Sequence, residues 1–246
     1  MKLITTVELS RNLLKDQEIL FIRTFVGNID PKVLKPLAEQ YLASLPVTNR
    51  TETWKNSGIQ PTKGNKECFY DKKLETPKTG VLLYYHGEMD YTPENSIYMN
   101  VFDDIMNIVY TEKIREDEGG TYGVHIGGQI SKYPQEKFGL QIFFETNEEL
   151  YKNLIKIAQD ELNSMATNGP SEVNLNKVKE FMLKKYQEDK QENSFWMGKI
   201  NEYTRYNIDS YSNYEKIVNS ITVQSMADFA KKILAGYKKE IVQIGK

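Results

Sequence analysis

The sequence predicts an α+β fold, with a sheet of strands and helices packed on it. Residues 138–144 alternate between apolar and other side chains, which is typical of a half-buried strand. Residues 97–109 carry a wide apolar face at helical spacing, and residues 171–234 predict successive helices. The 246 residues, 39% of them hydrophobic, are enough for a sizeable core.

The first 46 residues predict three elements. Residues 7–14 predict a short helix, and residues 18–26 predict an apolar strand that closes at a glycine. Asp30 is a good helix cap, and the apolar residues after it recur at helical spacing as far as Pro46. Pro36 predicts a bend in that helix.

The region after Pro46 predicts a domain boundary. Residues 47–66 are polar and contain prolines and glycines, as expected of a surface linker. The stretch from Ile4 also resembles the stretch from Ile221, as two helix–strand units, although chance can produce such a likeness. We therefore expect residues 1–46 to be the tail of a preceding repeat and residues 67–246 to form the main domain.

The main domain begins with strands around one long helix. Residues 81–85 predict a strand, and residues 93–114 predict a buried helix that Gly119 and Gly120 end. Residues 121–130 and 138–145 predict two strands joined by a hairpin loop.

Helices dominate the rest of the chain. Thr146 and Glu149 match a capping box for a helix that runs to Met165 and stops at Gly169. Residues 240–244 predict a closing strand.

Composition excludes several classes of partner and site. The 32 basic and 34 acidic residues are nearly balanced, which argues against nucleic acid, and acidic residues interleave with the lysines of residues 177–190. No apolar run reaches the roughly 20 residues of a membrane-spanning helix. The chain is thus expected either to be cytoplasmic or to follow a leader outside this stretch. Cys68 is the only cysteine, so no intrachain disulfide can form.

The common catalytic motifs are missing from the sequence. The two histidines, His86 and His125, are too far apart in sequence for an H-x-x-E-H helix, so we expect no metal site. His86 and Glu88 are better explained as a polar pair at a strand end. Neither a Gly-x-Ser-x-Gly elbow nor a G-x-G-x-x-G phosphate loop is present.

Arg115 and Tyr122 are the best candidates for contact with a substrate. Arg115 falls at the end of the predicted buried helix, and the two following glycines allow a sharp turn that brings Tyr122 back towards it. A guanidinium and a phenol can hold a peptide carbonyl and stabilise its oxyanion. The alternative stays open at this point, since a cation also stabilises a helix C-terminus and a tyrosine is often a core aromatic.

These residues also carry a resemblance to a known family. The run from Arg115 through Gly120, Thr121, Tyr122 and Gly123, after a long buried helix, resembles the C-terminal half of the pitrilysin and insulin-degrading-enzyme family of inverted zinc metallopeptidases. Residues 26–37 resemble the junction that closes one family repeat. Residues 168–179 resemble the helix-to-helix segment of that repeat.

The resemblance implies a fold and a role. The fold is the metallopeptidase-repeat (LuxS/MPP-like) fold, a mostly antiparallel sheet covered by helices. The resemblance implies that Tyr122 donates a hydrogen bond to the oxyanion and that Arg115 positions the substrate, with Gly120 and Thr121 also at the substrate site. Zinc would belong to an N-terminal half on the same protein or on a partner subunit, and this fragment alone would bind no zinc and be inactive.

The resemblance also implies a setting and an alternative function. The full-length protein would be a bacterial endopeptidase that hydrolyses peptides or unfolded polypeptides, with a periplasmic or cell-envelope location favoured over the cytoplasm. Members of this fold also serve as non-catalytic scaffold or partner subunits, which is the alternative function.

Overall fold

The computed structural model describes residues 3–8, 22–42, 57–117, 121 and 123–245. The side chains of residues 3–8, 22–23 and 115–117 lie outside that description. The chain forms two compact units, the first from residues 1–55 and 184–213 and the second from residues 56–183 and 214–246.

The first unit contains a two-stranded antiparallel sheet and helices. Strands β1 (Leu3–Glu8) and β2 (Ile22–Gly27) pair along their whole length. Helix α1 (Pro31–Leu42) follows, and Asp30 accepts a hydrogen bond from the backbone N–H of Lys32 at 2.8 Å, as its capping role requires. The helix continues through Pro36.

One prediction about this region needs correction. Val7 and Glu8 belong to β1, so the helix predicted for residues 7–14 is wrong where it can be compared, and residues 9–14 lie outside the described residues. The likeness between the stretches from Ile4 and Ile221 stays a prediction, because residues 9–21 of the first stretch lie outside the described residues. Short apolar runs do not distinguish a strand from a helix.

The second unit is built on a five-stranded sheet. Its strands are β3 (Lys66–Lys72), β4 (Thr79–Glu88), β5 (Val124–Ser131), β6 (Lys137–Thr146) and β7 (Tyr237–Gly245). The order is β3-β7-β4-β6-β5, with only the β3–β7 pair parallel. This sheet agrees with the mostly antiparallel arrangement expected, and β3 is a strand that sequence reasoning missed.

Six further α-helices lie in the described part of the chain. They are α2 (Pro93–Tyr110), α3 (Tyr151–Asn168), α4 (Glu172–Asp189), α5 (Asn193–Tyr206), α6 (Tyr214–Ser220) and α7 (Val223–Leu234). Thus the prediction of successive helices after residue 171 is confirmed. Gly169 ends α3 at a φ of 72°, also as predicted.

The start of α3 differs from the capping box expected there. The side chain of Asn147 accepts hydrogen bonds from the backbone N–H groups of Glu149 at 3.0 Å and Leu150 at 2.9 Å. Thr146 is instead the buried last residue of β6. Asn147, one residue later, therefore makes the side-chain hydrogen bonds to the backbone that were predicted for Thr146.

The core of the second unit lies between one face of the sheet and helices α2, α3 and α7. Along β6, Phe138, Leu140, Ile142 and Phe144 all face this core and are almost fully buried. The alternate residues Gln141, Phe143 and Glu145 are exposed on the other face. The alternation predicted from sequence thus assigns the faces of the sheet correctly.

Candidate substrate-facing site

Arg115 lies in an unusual helical segment directly after α2. The chain continues from α2 as a π-helix, Thr111–Asp117, whereas the sequence predicted one regular helix through residue 114. Ile114 is fully buried, so the backbone next to Arg115 is held in the core. Short π-helical segments within helices occur frequently at functional sites, because their wider turn re-aims side chains.

Two hydrogen bonds join the side chain of Thr121 to the backbone of Gly123. The Thr121 hydroxyl donates to the carbonyl of Gly123 at 3.0 Å and accepts from the N–H of the same residue at 3.2 Å. Strand β5 then begins at Val124 rather than at Thr121 as predicted. Tyr122 and Gly120 themselves lie outside the described residues, so their roles stay predictions.

Strand β5, which starts directly after Gly123, is the last strand of the described sheet. It pairs antiparallel with β6, from Val124 opposite Phe144 to Ser131 opposite Lys137. Its other long edge pairs with no further strand in the described part of the chain. Ile126 of this strand is only 2% exposed, so other parts of the chain cover the strand there.

Asp103 of α2 bonds to the backbone of this edge strand. One oxygen, Oδ2, accepts the N–H of Gly128 at 2.7 Å, and the other, Oδ1, is buried without a hydrogen-bond partner among the described residues. A Cβ on Gly128 would clash with Met99 and lie 3.0 Å from Asp103 Oδ1. A glycine at this position therefore permits the close approach of α2.

The surroundings of Asp103 raise the pKa of its carboxyl from 3.8 to about 7. Burial is the main cause, the neighbouring Asp104 adds to it, and the hydrogen bond from Gly128 opposes it. Sequence reasoning missed this residue. The sequence feature that could have indicated it is a charged residue between Phe102 and Ile105, on a helix that otherwise buries an apolar face.

His86 lies near the end of β4, as predicted, but it is buried. It is 6% exposed on β4, its ring lies near those of Tyr84 and Tyr237, and its Nε2 has no hydrogen-bond partner among the described residues. Burial, with Lys239 and Lys137 nearby, lowers the pKa of the imidazole. The residue also lines a cavity of about 1100 Å³ at the end of β4.

The described residues offer no set of zinc ligands. No three histidine, cysteine, aspartate or glutamate side chains come together in this part of the chain. His86 and His125 lie on β4 and β5, which β6 separates. Three or four convergent ligands are needed to hold zinc, so the described residues do not form a zinc site.

Comparison with known families decides the class of the chain. The profile of the family described as "Peptidase M16 inactive domain" matches residues 24–182, which include the segment from Arg115 to Gly123. The chain belongs to the peptidase M16 inactive-domain family. The resemblance noted in the sequence and the metallopeptidase-repeat fold are thereby confirmed.

The M16 chain is also similar to individual proteases. It is 22% identical over 193 residues to a zinc protease PQQL-like protein of Arabidopsis thaliana, covering 73% of this chain and 20% of that protein. It resembles the periplasmic protease PqqL from Escherichia coli at 16% identity and a TM-score of 0.75. It also resembles the ferredoxin protease FusC, solved with Arabidopsis ferredoxin, at 16% identity and a TM-score of 0.76.

These likenesses cover only part of each relative. The M16 chain spans about a fifth of the plant protein, and the structural matches cover 89% and 92% of this chain but 25% of each of the two protease chains. No helix in the described ranges has the length and hydropathy needed to cross a membrane.

Proposed function

We propose that this chain is the substrate-facing, zinc-free part of an M16 zinc endopeptidase that acts on peptides or unfolded polypeptides. The observation that carries the proposal is the family match over residues 24–182, which spans the segment where the arginine and tyrosine of the resemblance fall. Zinc, its bound water and the general base would come from another half, on the same protein or on a partner subunit.

Arg115 and Tyr122 are the proposed site residues. Tyr122 donates a hydrogen bond to the oxyanion of the tetrahedral intermediate, and Arg115 positions the substrate backbone. The buried Ile114 on one side and the hydrogen bonds between Thr121 and Gly123 on the other support this role, because both restrict the backbone next to the two residues. Restricted backbone reduces the entropy lost when the substrate is bound and aligned.

Thr121 and Gly120 are proposed to shape the site around the substrate. The hydroxyl of Thr121 is already bonded to the backbone of Gly123, so its contribution is to hold the turn. Gly120 is proposed to supply the conformational freedom that the turn needs.

The wider setting is part of the same proposal. A relative solved with ferredoxin supports polypeptide substrates, and a relative described as periplasmic supports a bacterial cell-envelope location. Residues 1–46 are proposed to be the tail of a preceding repeat, and residues 67–246 to form the substrate-binding repeat domain. Residues 47–66 are proposed to be the linker between them.

Peptide hydrolysis by the full-length protein, or by this chain with its zinc-bearing partner, tests the proposal. Tyr122→Phe removes one oxyanion donor and is expected to lower kcat roughly 100-fold, while Arg115→Ala is expected to lower kcat/KM with a rise in KM. Tyr203→Phe, which changes an exposed tyrosine of α5, serves as the matched control. Unchanged turnover in both site variants would refute the catalytic role and favour the non-catalytic scaffold subunit.

A further inference from the structure

Helix α2 has an apolar side and a polar side. At about 100° per residue, its buried residues spread over roughly 220° of the helix circumference. They are Ile97, Met99, Val101, Phe102, Ile105, Met106 and Tyr110. The polar residues that fill the remaining side, none of them buried, are Ser96, Asn100, Asp103, Asp104 and Asn107. The angular position of a residue on this helix therefore decides whether it belongs to the core.

The polar side of α2 meets strand β5 at Asp103, which accepts the N–H of Gly128 at 2.7 Å. Eight residues after Asp103, Thr111 lies about 12 Å further along the helix, at 1.5 Å per residue. Four residues before Gly128, Val124 lies about 14 Å back along the strand, at roughly 3.4 Å per residue. Strand β5 packs on both α2 and the π-helix. The start of the strand is therefore level with the start of the π-helix.

A regular α-helix would give the wrong sides to the two residues at the end of this segment. Such a helix makes five full turns in 18 residues. Arg115 comes 18 residues after Ile97, which is only 5% exposed, so it would fall on the apolar side. Ile114 comes 18 residues after Ser96 and would fall on the polar side, yet its side chain is fully buried.

The π-helix reverses these positions. Its i→i+5 hydrogen bonds take about one residue more per turn, so each residue turns the chain by roughly 80° instead of about 100°. Counted from Tyr110, position 114 then comes into line with Met106, which is fully buried as Ile114 is. Position 115 comes to within roughly 20° of Asp103, on the polar side.

We propose that the π-helical segment Thr111–Asp117 is a positioning element for substrate binding, which keeps Ile114 in the core and places Arg115 on the polar side of the helix, towards β5. This inference rests on the proposed function and deepens it, since Tyr122 precedes β5 by two residues in the sequence. Ile114 is then a positioning residue that acts through Arg115. A guanidinium on the apolar side would bring its charge to the core, which is costly.

Thiol reactivity of the full chain tests this placement without reference to activity. Cys68, the only cysteine, is first replaced by serine. Arg115→Cys and Ile114→Cys are then each treated with a positively charged methanethiosulfonate reagent. Arg115→Cys is expected to react at least tenfold faster, because position 115 lies on the polar side and position 114 in the core. Equal rates, or a faster reaction at position 114, would overturn the inference.

A one-residue deletion and a one-residue insertion test the effect on substrate binding. Because a π-turn holds one residue more than an α-turn, deleting the exposed Glu112 should give a regular α-helix in which Ile114 and Arg115 keep their sides. The KM for peptide hydrolysis, with the zinc-bearing half present, is expected to stay within about threefold. With an alanine inserted after Glu112, the two residues cannot both keep their sides. That variant is expected to raise KM at least tenfold and to change kcat less.

The outcomes separate this inference from the proposed function. A deletion variant that folds, as judged by circular dichroism, but raises KM as much as the insertion would overturn the inference, and the thiol rates decide if the deletion variant does not fold. If position 115 reacts no faster than position 114 while KM still depends on Arg115, the inference fails and the proposed function stands. If the thiol rates are as expected but turnover depends on neither Arg115 nor Tyr122, the proposed function fails and the segment has no substrate to position.

Discussion

Replacing Asp103 by asparagine should make the protein more stable near neutral pH. The carboxyl is buried, one of its oxygens has no donor among the described residues, and its pKa is raised to about 7. The folded state therefore holds a proton that the unfolded state, with a pKa of 3.8, releases at lower pH. Asparagine keeps an acceptor for the N–H of Gly128 and carries no charge to bury.

The size of the effect follows from the two pKa values. Because the folded-state pKa lies above the unfolded-state value, the stability contribution is fully present below pH 3.8 and is lost as pH rises towards 7. Each pH unit inside this window costs roughly 1.4 kcal/mol. Between pH 5 and pH 8 the unaltered chain should thus lose about 2 to 3 kcal/mol of stability relative to Asp103→Asn.

Chemical denaturation at pH 5 and pH 8, followed by circular dichroism, measures this difference. Asp104→Asn is the matched control, since Asp104 lies on the same helix and its pKa is also raised by burial, but the bond to Gly128 belongs to Asp103. The control should change the pH dependence less. Equal pH dependence for the unaltered chain and Asp103→Asn would refute the reasoning, because Asp103 would then be ionised in the folded state.

Three further predictions concern Gly128, Thr121 and His86. Gly128→Ala should lower the free energy of unfolding by about 1 to 3 kcal/mol through overpacking, whereas Gly127→Ala, whose Cβ would lie 3.4 Å from the nearest side-chain atom, should change it little in the same denaturation assay. Thr121→Val should lower kcat about tenfold by releasing the turn, while Thr121→Ser should retain activity in peptide hydrolysis. The His86 imidazole should titrate below 6.5 in an NMR pH titration, and stability should fall as pH drops below 6.5, because the folded state resists protonation.

Distinct results would contradict each of these predictions. Equal losses of stability in the two glycine variants would mean that the contact between α2 and Gly128 is not close. Full activity of Thr121→Val would remove its role in holding the turn. An imidazole signal of His86 that titrates above 6.5 would mean that the lysines and burial around it do not govern its charge.

The long amphipathic patterns predicted most of the second unit. The alternation in β6 and the helical spacing of α2 reflect burial on one face, which is a local property of the sequence. Glycines also marked the ends of elements, as at Gly169. Strand β3 was missed because its residues are mostly exposed and apolar alternation is absent, so the evidence for it is its pairing with β7.

The candidate site could be predicted only in part. Arg115, Thr121 and Tyr122 stand in a short motif, and a motif is visible in sequence. The π-helical form of Thr111–Asp117 was not predicted, because its residues would also suit a regular helix. Asp103 was missed for a further reason, since its partner Gly128 is 25 residues away in the chain.

Local residue pattern was therefore enough to establish the α+β class, the faces of the sheet and the family of this protein. Periodicity and short motifs depend on residues that are close together in the sequence, so they can be recognised without the structure. The order of the strands, the place of β5 as the last strand of the described sheet and the bond between Gly128 and Asp103 depend on contacts between distant segments. Such contacts exist only once the chain has folded, because burial and pairing then bring those segments together.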